Sequence, residues 1–427
     1  MTRVLVIVLC VLLRAAPLAA QGADTLTLGE VLRASRREDP RAAQLALERV
    51  RSVLRLQRLG AERLPTIRAS GLAQYQSDVT SIGGGLPDAP FPIPTPSRDT
   101  YDARLDLRQP ILDPTIAPRR AAEQAGHAEV EAQLEATLHA LRSEAIEAFF
   151  AAALMASRAE AIETTLRELE AARLVAAARV REGTALASEE ATIRAEQLRR
   201  RQDADEARAE RAAALRIVAE LTGIETDPGS VIHAVDTSRA ALPDSMVRPE
   251  LTLFARRQER LRLQERALAS SDLPRLTAFG RAGYGRPGLN VLGDEFVGWW
   301  LGGLQLEWSP RLWGSEGRER ELLRLEAEIV ATEAAAFRTA VHRAAARDAA
   351  AITRLANALT LDEEIVALRE SVERETRLRF EEGVVTSAEL VDRSGDTLAA
   401  RIARATHRLE LARARARYRN LMGLEVE

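Results

Sequence analysis

Leu64-Pro65-Thr66-Ile67-Arg68-Ala69-Ser70-Gly71-Leu72-Ala73-Gln74-Tyr75 returns 209 residues later as Leu273-Pro274-Arg275-Leu276-Thr277-Ala278-Phe279-Gly280-Arg281-Ala282-Gly283-Tyr284. In the first copy Ile67, Ala69, Gly71, Ala73 and Tyr75 share one face, and Thr66, Arg68, Ser70, Leu72 and Gln74 share the other, which is mostly polar. In the second copy Leu276, Ala278, Gly280, Ala282 and Tyr284 oppose Arg275, Thr277, Phe279, Arg281 and Gly283. A period of two predicts a β-strand in each copy.

The repeat extends outward from these strands. Pro40 and Pro249 hold the same 209-residue offset. The offset then becomes 200: Pro110 matches Pro310, Leu112 matches Leu312, Gly183 matches Gly383, Glu189 matches Glu389, and Leu221-Thr222-Gly223 matches Leu421-Met422-Gly423. The second copy is nine residues shorter between Tyr284 and Pro310, and length variation of that kind belongs to exposed loops. A second strand follows in each copy. Tyr101, Ala103, Leu105 and Leu107 oppose Asp102, Arg104, Asp106 and Arg108; Trp300, Leu304, Leu306 and Trp308 oppose Gln305 and Glu307. The first intervening loop carries Gly83-Gly84-Gly85 and then Pro87, Pro90, Pro92, Pro94 and Pro96, which excludes helix and central strand. Its counterpart carries Gly285, Pro287, Gly288 and Gly293.

The rest of each copy is helical in composition, rich in Ala, Leu, Glu and Arg, with helices expected over 40–64 and 249–273. A helix from about 115 to 181 would be roughly 100 Å long, and its return from about 187 to 222 roughly 54 Å. The helix ending at Leu64 is about the missing length, so the two short helices are expected to stack end to end beside the long one. Val391, Leu398, Ala405 and Ala412 repeat by seven, with Gly395, Ile402, Leu409 and Ala416 four residues on, as in a coiled coil. The expected organisation is a signal peptide at 1–20, a first repeat at 21–223, an inter-repeat linker at 224–248 and a second repeat at 249–427.

The signal peptide is expected from a basic start at Arg3, an apolar run over 4–13 and small residues before Gln21. The only cysteine, Cys10, lies inside that run, so a processed chain would have no disulfide and no thiolate metal site. All 60 basic residues are arginine; against 63 acids the net charge is -3, or -5 after removal of Arg3 and Arg14. Nothing there points to nucleic acid. No apolar run beyond the leader is long enough for a membrane helix, so an exported chain of this kind would enter a membrane only as strands. Four strands of about ten residues suit a bilayer in length but cannot close a barrel, so several copies would have to share one.

The chain's order of elements resembles the TolC-like outer-membrane efflux proteins, over nearly its whole length from Leu26 to Gly423. The matching pieces are Asp39-Pro40 and Arg248-Pro249, Leu64-Pro65 and Leu273-Pro274, Gln109-Pro110-Ile111-Leu112 and Ser309-Pro310-Arg311-Leu312, and the glycines Gly183 and Gly383. The resemblance implies a mainly α fold with a small β part: tandem long helical hairpins that form an α-barrel on trimerisation, and four strands per protomer in a shared 12-stranded barrel. It implies a homotrimer set in outer-membrane lipid with a large periplasmic part. An inner-membrane transporter and a periplasmic adaptor protein would feed a passive channel.

Residue by residue, Glu182, Gly183 and Thr184, and Glu382, Gly383 and Val384, resemble the hairpin tips that meet the adaptor. Glu389 and Asp392 stand where the family places an acidic ring at the constriction, and a spacing of three puts both on one helix face. Val385 stands where the best-studied members carry a basic gate residue, which puts a closed-state salt link there in question. Ending at Glu427, the chain is expected to lack a C-terminal wrap of the equatorial region. No catalytic residue, metal site or cofactor is expected: none of the five histidines pairs at metal spacing, and His127 with Glu131 reads as a solvated face. The loops at 78–100 and 285–297 are expected outside the cell. A second function class, an exported periplasmic or surface coiled-coil scaffold without a pore, would fit the helices but has no use for an apolar band of lipid height.

Overall fold

The computed structural model describes residues 25–79, 95–227, 230–233, 242–291, 293–309 and 314–426. The expected signal peptide, Gly83 to Pro94, Pro228-Gly229 and the Pro310-Arg311-Leu312 boundary lie outside the described residues.

The long helices form where alanine and leucine dominate without an internal break. Helix α3 (Ile116–Arg181) has 66 residues and α6 (Ser315–Glu381) has 67, each roughly 100 Å long. Each turns back into a shorter partner, α4 (Ala187–Thr222) or α7 (Ser387–Leu421). Helices α2 (Pro40–Ala61) and α5 (Pro249–Ala269) begin at the two expected prolines and stop short of the expected 64 and 273. A turn follows α2, and a 3-10 turn over Ser270–Asp272 follows α5, so Pro65 and Pro274 head the strands rather than end the helices.

End-to-end stacking along α3 is visible in its ion pairs. From α2, Arg55 reaches Glu123 at 2.9 Å and Arg49 reaches Glu131 at 2.8 Å. From α4, Arg208 reaches Glu163 at 2.7 Å and Glu190 takes Arg173 at 2.9 Å. Between them lies a helix that had not been expected as a separate element, α1 (Leu28–Glu38), whose Arg36 pairs with Glu135 at 2.7 Å. Thr27 and Glu30 form a capping box at its start, and Asp39 caps α2 by accepting from the Arg41 N–H at 2.8 Å. Asp39, with extended backbone, is both the C-cap of α1 and the N-cap of α2, so the break between the helices falls there.

The core is a chain of small clusters along the helices. The largest joins Val31 of α1 to Ile146 and Phe149 of α3, Val218 of α4 and Ala412 and Ala416 of α7. A second joins Val341 and Ile352 of α6 to Leu411, Tyr418 and Met422. Leu398, Leu409, Ala412 and Ala416 of the seven-residue pattern are all buried. Within the linker, β4 (Val231–His233) pairs in parallel with β1 (Thr25–Thr27), a sheet too short to leave a period in the sequence. His139 is buried, its Nε2 at 3.1 Å from the Asn420 carbonyl and 2.9 Å from Arg248. Burial and the Arg248 charge hold it below the usual histidine range.

Strands β2 (Thr66–Tyr75), β3 (Asp99–Leu112), β5 (Arg275–Arg286) and β6 (Val297–Glu307) form one antiparallel sheet in the order β2-β3-β5-β6. The helices follow the same order. Beside the sheet α2 packs on α3, α3 on α5 and α5 on α6; toward the hairpin turns α4 packs on α3, α3 on α7 and α7 on α6.

Candidate functional site

The sheet register assigns every strand residue to a face. Opposite Ile67 stands Leu107, then Gly280 and Gly302; opposite Ala69 stand Leu105, Ala282 and Trp300; opposite Gly71 stand Ala103 and Tyr284. Cross-strand partners point to the same side, so the four predicted apolar faces merge into one. Ile67, Leu105, Leu107, Trp300, Leu304 and Leu306 are exposed on it. At its far end Tyr101 and Tyr284 stack on Phe296 at 6.0 and 5.8 Å. At the end near the helices, just past β6, the Trp308 indole N–H donates to the Asp272 carbonyl at 3.0 Å. Between these aromatic ends the face carries no charge; its only ionic residues, Asp99 and Arg286, lie at the far end and pair with each other at 3.6 Å.

The opposite face carries the charges. Arg281 reaches Asp106 at 3.0 Å, and Arg104 lies 3.5 Å from both Asp102 and Asp106. It is less uniformly polar than the alternation implies, because Leu72, Phe279, Val297, Trp299 and Leu301 share it.

At the other end of the long helices, the two hairpins turn where the matched glycines predict. Gly183 has φ 73° and Gly383 φ 81°, a backbone that L side chains rarely adopt. Glu182 and Glu382 are the C-caps of α3 and α6. The Thr184 N–H donates to Arg179 O, and the Val384 N–H to Arg379 O, both at 2.9 Å. These bonds satisfy carbonyls that a helix end leaves free. Glu182, Gly183, Thr184, Glu382, Gly383 and Val384 are all exposed.

Beyond the turn, Thr386 caps α7 and accepts from the Glu389 N–H at 3.3 Å. Glu389 and Asp392 are both exposed, and neither has an ion-pair partner among the described residues. One turn further, Asp396 is already taken by Arg369 at 2.7 Å. Val385 packs into the tip core with Leu169, Phe380 and Leu390.

Two contacts that join the tips were not visible in the sequence. The Arg179 guanidinium donates to Phe380 O at 2.9 Å and lies over the Phe380 ring at 5.6 Å. Glu189, the first-repeat counterpart of Glu389, accepts from the Ser387 N–H at 2.6 Å. The matched glutamates therefore do different things: one caps the neighbouring hairpin and one faces solvent.

His127 lies 3.6 Å from Glu131, which also takes Arg49 at 2.8 Å. Among the described residues no group of acids, histidines or cysteines could hold a metal, and no helix is long and apolar enough to cross a membrane.

By sequence, no family model and no curated protein matches the chain. Solved structures do. The chain overlays the channel-forming protein CusC with a TM-score of 0.71 at 13% identity, covering 93% of this chain and 92% of that one. The MtrE outer membrane channel of Neisseria gonorrhoeae, in its open state, gives 0.68 at 16% identity over 93% and 89%. VceC, an outer membrane protein of Vibrio cholerae, gives 0.66 at 14% identity over 94% and 97%. The chain has the fold of the TolC-like outer-membrane channels: mainly α, with a small β part.

Proposed function

We propose that three copies of this chain form an outer-membrane channel-tunnel that passively conducts substrates across the cell envelope. A periplasmic adaptor at the hairpin tips and an inner-membrane transporter supply substrate and energy. The observation that carries the proposal is the pair of open edges. Among the described residues the sheet ends at β2 and β6, each with one unpaired side. The helical layer ends beside them, at α2 with Leu47, Val50 and Leu54 exposed, and at α6 with Leu322, Leu325 and Ile329 exposed. Nearer the tips, α4 leaves Leu198 exposed and α6 leaves Leu361, Leu368 and Val372. Unlike edges on the two sides of one slab suit a head-to-tail contact, which closes into a ring when the rotation per copy allows. Three copies would bring twelve strands, and lipid tolerates a sheet only when it is closed. The apolar face, uncharged between its aromatic ends, then meets lipid and the charged face lines the lumen. No group here needs to do chemistry, so the chain acts as a conduit and not an enzyme.

The topology test uses inserted epitope tags. A tag after Leu289, in the loop between β5 and β6, should be reached by antibody on intact cells. So should one at Gly84, which lies outside the described residues. A tag at Glu382 should be reached only after the outer membrane is lysed. The reverse pattern would invert the topology, and recovery of the chain in the soluble periplasmic fraction would favour the scaffold instead.

A further inference from the structure

The charged face of the sheet has a sign. From β2 to β6 it carries Arg68, Arg104, Arg108, Arg275 and Arg281 against Asp102, Asp106 and Glu307, a balance of +2 per chain. The arginines are clustered. Arg68 faces Asp106 across β2 and β3, and Asp106 faces Arg281 across β3 and β5. Arg104 and Arg108 stand two residues to either side of Asp106 on the same face of β3. With strands about 4.8 Å apart and same-face neighbours about 6.8 Å apart along a strand, four arginines surround one aspartate.

That aspartate cannot satisfy all four. Arg281 lies 3.0 Å from it and 5.7 Å from the Phe279 ring; Arg104 divides itself between Asp106 and Asp102 and donates to Ser70 Oγ at 3.2 Å. Arg68 and Arg108 have no ion-pair partner among the described residues, and both are exposed.

We propose that this arginine belt is an anion-attracting station in the barrel lumen, in series with the acidic pair at the hairpin tips and opposite to it in sign. The inference rests on the duct proposed above. In three copies the belt gathers a charge of +6 on a ring of low-dielectric wall, which focuses the field and raises the local anion concentration. The tips carry Glu389 and Asp392 roughly 100 Å away, about the length of α3. That distance is about ten screening lengths at 0.1 M salt, so the two stations act independently. A pore with fixed charges of opposite sign at its two ends should pass current more readily in one direction. Cargo leaving it meets a cation-favouring entrance and an anion-favouring exit.

The test measures purified trimers in planar bilayers under a KCl gradient. The background is the tip variant Glu389→Ala/Asp392→Ala, in which the entrance no longer masks the barrel. That channel should prefer Cl⁻ over K⁺ by at least about threefold. Sulfate added on the barrel side should reduce the Cl⁻ current. Arg68→Gln/Arg108→Gln should bring the preference to about unity, and Asp102→Asn/Asp106→Asn should raise it. The second pair moves selectivity in the opposite direction, so a general loss of folding cannot imitate the result. A tip variant that still prefers K⁺, or a preference unmoved by both pairs, would overturn the belt while leaving the duct. Assembled trimers without any conductance would overturn the duct and the belt with it.

Discussion

Leu105→Arg should remove most of the chain from the outer membrane. Leu105 sits on β3, an inner strand of the sheet, exposed on the apolar face between Ala69 and Ala282. An arginine at the midplane of a membrane β-barrel costs about 2–4 kcal/mol. Three copies share one barrel in the proposed assembly, so the cost per particle is about 6–12 kcal/mol, as large as the stability of a whole domain. Gln74→Arg is the control. It adds the same charge on the opposite face, where water can solvate it, and should assemble nearly as the parent does. Membrane fractionation with quantitation of the assembled form reads both variants. Equal assembly of Leu105→Arg and Gln74→Arg would mean that the apolar face does not meet lipid.

In the parent channel, the tips should give a small, cation-selective conductance that multivalent cations block from the periplasmic side. Glu389 lies six residues past Gly383 and Asp392 nine, in the first and second turns of α7. Six carboxylates in a trimer would crowd the narrow end, and like charges that close hold water and cations. The variant Glu389→Ala/Asp392→Ala should weaken the block by roughly tenfold or more. Trimers should persist, since both side chains are exposed and unpaired and contribute little to packing. Unchanged block would make the pair an ordinary solvated face and move the constriction elsewhere on the helices.

The features legible in the sequence are those with a local physical signature. Alternation over Thr66 to Tyr75 gives a strand because the period of side chains in a strand is two. Gly183 and Gly383 give the hairpin turns because few other residues adopt φ near 75°. Their equal offset from Pro110 and Pro310 fixes the lengths of α3 and α6. The separation of α1 from α2 is also encoded, in Asp39-Pro40, where Asp39 ends α1 and caps α2. Continuous helical composition on both sides concealed it. The pairing of β1 with β4 had no signal, since three residues cannot show a period. Contacts between repeats were equally silent: Arg179 meets Phe380 across 201 positions, and nothing local to either residue specifies it. The arginine belt needed the register. Arg68, Asp106 and Arg281 are unremarkable on their own strands and become a cluster only when β2, β3 and β5 align.

The most direct test of the duct is the size of the particle in the outer membrane. Whole membranes are extracted in mild detergent, crosslinked at short range and resolved by mass. The open edges at β2 with α2 and at β6 with α6 require further copies to close the sheet, and the proposed trimer predicts a band at three times the chain mass, recovered with the outer membrane. A monomer in the soluble periplasmic fraction, with no crosslinked product, would contradict the account.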